Sequence, residues 1–289
     1  MNIITSLEDM QKTALALRRA GKRIGLVPTM GFLHEGHLAL VKLARRQADV
    51  VILSIFVNPT QFGPNEDFSR YPRNFERDAA LCATAGVDIN LNPAPEAMYP
   101  PRYSVHVEEN VLAKGLCGAS RPGHFRGVLT VVAKLFNLTL PDVAVFGQKD
   151  AQQARLIQQM TRDLNFPVAI VLAPIIREAD GLAISSRNMY LSPTERREAL
   201  GLSRALKHAR RLYRKGERDA QRIIAAIKTI IEPVPSARID YIEIVNSDLL
   251  QPVKAINEPI LIALAVRIGK TRLIDNLPLP DDTLGNLPE

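Results

Sequence analysis

The chain has 289 residues, 46% apolar and 23% charged, which excludes wholesale disorder and low-complexity scaffolds and suits roughly two domains. Lysine and arginine number 37 against 30 acids, a net charge of +7, which fits a mildly basic surface or attraction to an anion. There is no Trp, and basic clusters such as Arg18-Arg19 and Arg210-Arg211 lack interleaved aromatics, so charge by itself favours no nucleic-acid partner. The two cysteines, Cys82 and Cys117, stand in no Cys-x-x-Cys or zinc-ribbon spacing and fit a reducing compartment. The longest apolar runs, such as residues 168–176, fall far short of the roughly twenty residues a membrane helix needs. Glu8 and Asp9 stand where a signal peptide would be apolar, so the expectation is a cytoplasmic protein with no membrane partner.

The spacing of apolar residues predicts a helix over Leu7–Ala20, stopped at Gly21, and a short strand over Ile24–Val27. A second helix is expected from His34 to Ala48, followed by a buried strand over Val50–Val57. Asn74–Ala85 reads as a helix stopped at Gly86, and Val87–Leu91 as another strand. Further on, a helix over Leu129–Leu140, a strand over Val143–Phe146, a helix over Gln148–Leu164 and a strand over Val168–Leu172 continue the alternation. That order predicts an α/β fold with a Rossmann-like, doubly wound parallel sheet over residues 1–175. From residue 176 to 289 a smaller α+β domain is expected. Ser192-Pro193-Thr194-Glu195 caps a basic helix reaching Lys215, Ala220–Ile231 is a second helix, and Ile239–Val245 and Ile260–Val266 read as antiparallel strands.

Chemistry is concentrated at the ends of the predicted parallel strands. Pro28 to His37 follows a strand and opens a helix, where open α/β sheets bind ligands and where unpaired N–H groups suit phosphate. His34 and His37, three apart, would share one face of the first turn, with Gly36 leaving room for a close ligand. They could stabilise charge at phosphorus; a zinc pair lacks both His-Glu-x-x-His and an evident third ligand, and no metal site is expected. Ile184-Ser185-Ser186-Arg187-Asn188, after the Glu178–Gly181 loop, reads as either a phosphate clamp or an ordinary polar loop. Lys149, in Phe146-Gly147-Gln148-Lys149-Asp150, is either a phosphate contact or a solvated lysine at a helix start. Gly269-Lys270-Thr271 is no P-loop, because Leu264 stands where the first glycine belongs, and no Gly-x-Gly-x-x-Gly occurs.

Taken together, Pro28–Leu40, Phe56–Gly63, Arg121–Lys134, Phe146–Gln153 and Ile184–Leu191 closely resemble the bacterial pantothenate synthetase (pantoate–β-alanine ligase) family over essentially the whole chain. The resemblance implies membership of the His-x-Gly-His nucleotidyltransferase superfamily that includes class I aminoacyl-tRNA synthetases. It implies condensation of pantoate with β-alanine through a pantoyl-adenylate, ATP going to AMP and pyrophosphate with Mg²⁺ on the phosphates. Carried over by position, His34, His37 and Lys149 would be catalytic. Met30, Gly31, Phe32, Leu33, His34, Glu35, Gly36 and His37 would contact ATP, His37 as proton donor. Gly147, Gln148, Lys149, Asp150, Ile184, Ser185, Ser186 and Arg187 would hold ribose and phosphates, and Ile176 the adenine. Gln61, Gln153 and Asn58 would take pantoate, with Gln61 also near β-alanine. Arg121, His124 and Arg126 belong to a matching stretch without a role, loop ordering and dimer contact both being open. The family also implies a homodimer and a C-terminal domain that closes as a lid. Departures are Gln148 for a common glutamate, Ala151 for a frequent aromatic and Phe32 for the usual alanine. The alternatives are an adenylyltransferase acting on a phosphorylated acceptor and a nucleic-acid module using the helix Glu195–Lys215.

Overall fold

The computed structural model describes residues 1–64 and 66–280; residues 281–289, the end of the expected second domain, lie outside the described residues. In chain order the elements are β1 (Asn2–Ile4), α1 (Leu7–Arg19), β2 (Ile24–Thr29), α2 (Glu35–Arg45), β3 (Val50–Ile55), α3 (Phe75–Ala85) and β4 (Ile89–Leu91). Then come α4 (Pro95–Met98), α5 (Leu116–Ser120), α6 (His124–Thr139), β5 (Val143–Gly147), α7 (Ala151–Asp163) and β6 (Ala169–Ala173). The remainder is α8 (Pro193–Glu198), α9 (Leu200–Arg214), α10 (Ala220–Ile231), β7 (Ala237–Asn246), β8 (Ile260–Ile268) and β9 (Thr271–Leu279). The chain divides into two units: Met1–Asn110 with Arg121–Gly147 and Gln153–Ala173, and Val111–Ser120 with Gln148–Gln152 and everything from Pro174 onward.

In the first unit six strands pair in parallel in the order β1-β4-β3-β2-β5-β6, the doubly wound sheet expected from the alternation of strands and helices. Strand side chains alternate between faces. Val51, Leu53 and Ile55 of β3 and Val143 and Val145 of β5 therefore join one core with Leu40, Val41 and Ala44 of α2. Each such side chain contributes about 1.5–3 kcal/mol on full burial, which is why these strands read as near-continuous apolar runs. Winding runs from β2 through β3 to β4 on one side and resumes with β5 on the other, so the switch point lies between the carboxyl ends of β2 and β5. Helix α1 starts at Ser6, whose hydroxyl accepts from Asp9 N–H at 3.2 Å, and ends on Arg18 and Arg19, which suit the dipole.

In the second unit β7, β8 and β9 form an antiparallel sheet. Leu202 and Leu206 of α9, Ile223 and Ile227 of α10, and Ile262 and Leu264 of β8 share its core. Ser192 and Glu195 make a reciprocal capping box at the start of α8. The expected single basic helix is broken at Ala199, where Leu202 N–H bonds the Ala199 carbonyl three residues back and interrupts the regular ladder.

The short helices α4 and α5 are too brief to show a period, and three further elements escape it in whole or in part. Strand β1 is too short to show alternation, and α6 begins at His124 rather than Leu129 because its first turn contains His, Arg and Gly instead of an apolar face. Strand β9 contains Asp275, Asn276 and Pro278, all depleted in strands, yet it pairs with β8 along its length. Gly269 and Lys270 are the two-residue turn of that hairpin, with Gly269 at φ +56°, which explains the Gly-Lys-Thr that is not a P-loop.

Candidate active site

The loop leaving β2 is built around a buried carboxylate. Thr29 Oγ1 donates to the Ser54 carbonyl at 2.7 Å and accepts from Gly31 N–H at 3.1 Å. The backbone then passes through Phe32 at φ +49°, a left-handed conformation that a bulky side chain rarely adopts. Asp78 of α3, 1% exposed, holds it there by accepting from Phe32 N–H at 2.6 Å and Leu33 N–H at 2.8 Å. Arg77 lies 3.4 Å from the same carboxylate, and its guanidinium carbon stands 5.2 Å from the Phe32 ring centre. Asp78 stands far from any motif in sequence; its one signal is an acid on the apolar side of a predicted helix.

His34 is the N-cap of α2, and its N–H donates to His37 Nδ1 at 3.3 Å, the return half of a capping box with histidine where glutamate is usual. A backbone N–H can only donate, so Nδ1 is the acceptor and the neutral His37 ring carries its proton on Nε2. The two rings stack with centroids 4.0 Å apart. A Cβ at Gly36 would lie 3.0 Å from His34 Cε1 and Nδ1. Gly36 thus makes room for the His34 ring, where sequence reasoning gave that room to a ligand.

After β3, Asn58 caps the short turn Pro59–Gln61. Its Nδ2 donates to Gln61 Oε1 at 3.0 Å and to the Gly127 carbonyl at 3.1 Å, and its Oδ1 accepts from the Tyr99 hydroxyl at 2.8 Å. Burial pushes the Tyr99 phenol up to about 12, partly offset by its bond with Thr60, so it remains a donor at neutral pH. With Oε1 engaged by Asn58, the Gln61 amide turns Nε2 toward Met30 Sδ at 3.1 Å, joining this turn to the loop after β2. The Gln61 carbonyl accepts from His124 Nδ1 at 2.8 Å and Arg121 Nη2 at 3.3 Å. Arg121 also clasps Glu66 with bonds of 2.6 and 2.7 Å. Burial raises the Glu66 pKa, but the Arg121 bonds and charge outweigh it, and the carboxyl sits below its ordinary value. Gln153 is half-buried on α7 of the same unit.

The second unit carries the remaining predicted residues. Gln148–Asp150 form a single 3-10 turn, with Gln148 buried and Lys149 half-buried. Ile184 N–H donates to the Ile176 carbonyl at 3.0 Å, so these two residues close a small hairpin whose turn is Glu178–Gly181. Arg196 binds Glu178 at 2.6 Å and Asp180 at 2.8 Å, and its hydrogen bond lowers the Asp180 pKa. Ser185 Oγ accepts from Arg187 N–H at 3.3 Å and caps a 3-10 turn through Tyr190, while Asn188 Nδ2 donates to Glu178 and to the Ala183 carbonyl. Ile184–Asn188 is an ordered turn with local bonds. Among the described residues no group of three or more His, Cys, Asp or Glu is placed to hold a metal ion, and no helix is long and apolar enough to cross a membrane.

A helix opening on a histidine pair beside the switch point, with polar turns next to it, is equipped to take an anionic ligand. A family model described as Pantoate-beta-alanine ligase matches residues 2–278. The chain belongs to the pantoate–β-alanine ligase family. It is 55% identical over 276 residues to the pantothenate synthetase of Thermotoga petrophila, covering 96% of this chain and 99% of that one. With the pantothenate synthetase of Moorella thermoacetica it shares 56% over 279 residues, at the same coverage. Among solved structures, pantothenate synthetase from Thermus thermophilus superposes with a TM-score of 0.91 at 46% identity, covering 96% of this chain and 99% of the other. Pantoate-β-alanine ligase from Francisella tularensis, complexed with β-γ ATP and β-alanine, gives 0.78 at 36% identity, covering 96% and 97%. The chain is thus a ligase of the pantothenate-forming class, and the adenylyltransferase alternative is not favoured.

Proposed function

We propose that the chain condenses pantoate with β-alanine in two steps at the expense of one ATP. A carboxylate is a poor acyl donor, so a pantoate oxygen first attacks the α-phosphorus of ATP and pyrophosphate leaves. The amine of β-alanine then attacks the carbonyl carbon of the pantoyl-adenylate and AMP leaves. The observation that carries this reading is the helix opening after β2, where His37 is held as an Nε2–H donor by the His34 backbone. Charge gathers on the phosphoryl oxygens as the first step proceeds, and preorganised donors stabilise it without reorganising. Mg²⁺ enters with ATP as part of that substrate.

In the first unit, Met30–His37 and Gly147 are assigned to ATP, with His34 and His37 catalytic. Gln61 and Gln153 are assigned to pantoate, and Gln61 also to β-alanine. Gln61 Nε2 carries two hydrogens, of which one meets Met30 Sδ and the other suits a pantoate oxygen. Both Nδ2 hydrogens of Asn58 serve Gln61 and Gly127, which supports a role in aiming the Gln61 amide more than direct contact with pantoate. In the second unit, Gln148, Lys149, Asp150, Ile176 and Ile184–Arg187 are assigned to the nucleotide, Lys149 as a catalytic point charge. Family membership supports a homodimer, which sedimentation would test, and a cytoplasmic setting fits the two free cysteines.

The test is pantoate-dependent exchange of labelled pyrophosphate into ATP with β-alanine omitted. Exchange is expected with wild-type enzyme and lost at least a hundredfold in His37→Ala. Exchange that ignores pantoate, or survives His37→Ala, overturns the reading.

A further inference from the structure

Both nucleotide segments assigned in the second unit are tied to two adjacent residues of β9. Asn276 is 4% exposed and spends its side chain on Gln148 and Lys149. Its Nδ2 donates to the Gln148 carbonyl at 2.9 Å and the Lys149 carbonyl at 3.0 Å, and its Oδ1 accepts from Gln148 Nε2 at 3.1 Å. Asp275, 3% exposed, accepts from Arg177 Nη1 at 2.7 Å and Nη2 at 2.8 Å. Arg177 Nη1 goes on to the Gly181 carbonyl at 3.1 Å, inside the hairpin that Ile176 and Ile184 close. Asp275 Oδ1 also accepts from Asn276 N–H at 2.8 Å, so the two anchors brace each other.

We infer that Asp275 and Asn276 are positioning residues of the nucleotide site: Asn276 sets the backbone of Lys149, and Asp275, through Arg177, sets the Ile176–Ile184 hairpin. This rests on the reading that Lys149 and Ile176 meet ATP. Only an amide at position 276 satisfies two carbonyls and one amide N–H together; a carboxylate of the same shape would face both carbonyls and repel them. The same geometry calls for an amide at position 148 as well. A glutamate at that position would set an oxygen against Asn276 Oδ1, and turning Asn276 over to meet it would give up the two carbonyl bonds. A bidentate arginine–carboxylate pair fixes orientation as well as distance, so Asp275 locates the hairpin rather than merely attracting it. Small displacements of a positioned group cost up to about a hundredfold in rate, so the effect should be kinetic.

Asn276→Asp and Asp275→Asn are compared with Lys149→Ala by steady-state kinetics and by pantoate-dependent pyrophosphate exchange. The expected result for Asn276→Asp is a rise of about tenfold or more in KM for ATP, or an equal fall in exchange rate, with KM for pantoate within about twofold of wild type. Asp275→Asn, which keeps an acceptor for Asn276 N–H and one bond to Arg177, should show the same split more weakly. If Asn276→Asp does not fold, Asp275→Asn decides. A folded variant with unchanged nucleotide constants, or with pantoate and ATP constants rising together, overturns the inference. Lys149→Ala separates the two levels. If it impairs exchange while the β9 variants do not, the inference alone fails; if Lys149→Ala behaves as wild type, the nucleotide assignment beneath it fails.

Discussion

His124 Nδ1 lies 2.8 Å from the carbonyl oxygen of Gln61, while Arg121 Nη1 stands 2.9 Å from Nε2 on the other edge of the same ring. An arginine can only donate, so Nε2 accepts, and the neutral ring carries its proton on Nδ1 and gives it to Gln61. The Arg121–His124 motif, without a role in the sequence, thus ends on the backbone of the glutamine assigned to pantoate.

Gln61→Ala is expected to raise KM for pantoate far more than KM for ATP, because it removes the second Nε2 hydrogen assigned to a pantoate oxygen. His124→Ala should act in the same direction more weakly, and His124→Asn, whose amide can replace the Nδ1 donor, more weakly still. Equal changes in both Michaelis constants would mark Gln61 as a packing residue.

Gly127 allows α6 to press against the turn that carries Gln61. A Cβ there would lie 2.3 Å from the Thr60 carbonyl oxygen and 2.7 Å from Gln61 N. Gly127→Ala should therefore cost about 1–3 kcal/mol, the usual range for overpacking, and lower the melting temperature by several degrees. Pantoate KM should rise with it. A variant as stable and as active as wild type would show that the turn yields freely.

Removal of one preorganised donor typically costs about 2.7–4 kcal/mol, a hundred- to thousandfold in rate. His37→Ala is placed in that range for adenylate formation. Asp78→Ala, which releases Phe32 N–H and Leu33 N–H from their buried carboxylate, should also slow that step while leaving pantoate KM near wild type. Single-turnover pyrophosphate release measures both, and an Asp78→Ala enzyme at wild-type rate would separate the loop from the chemistry.

The Glu66 carboxyl is held below its ordinary pKa, burial being outweighed by Arg121. The sign follows from linkage: a carboxyl with a depressed folded pKa binds its proton more weakly when folded. Its stabilisation is complete above the unfolded value, near 4.3, and is lost as pH falls through the lower folded value. The pair is partly exposed, with Arg121 at 15% and Glu66 at 26%, so the stabilisation is modest. Denaturant melts of Glu66→Gln and wild type should differ at neutral pH and converge in acid. A constant gap at all pH values would contradict the assignment.

The parallel sheet was legible because β3 and β5 are buried on both faces and their helices keep one apolar side. Gly-Lys-Thr at 269–271 could be rejected as a P-loop from spacing alone, and it is a hairpin turn. Strand β9 stayed hidden because Asp275 and Asn276 are buried by partners distant in sequence, which no local period records. The His34–His37 pair was visible from the strand–turn–helix context, whereas Asp78 was not, since its ligands are backbone amides of another element. Asn58 was grouped with the pantoate glutamines from its motif, but its bonds to Gln61 and Gly127 emerge only when α6 is packed against the turn.

Activation of pantoate by ATP must precede reaction of the amine. Pyrophosphate release is measured with ATP, Mg²⁺ and pantoate, first without and then with β-alanine. A burst of about one equivalent per active site is expected without the amine, and sustained turnover once it is added. No release with pantoate alone, but release with all three together, would contradict a separate adenylation step.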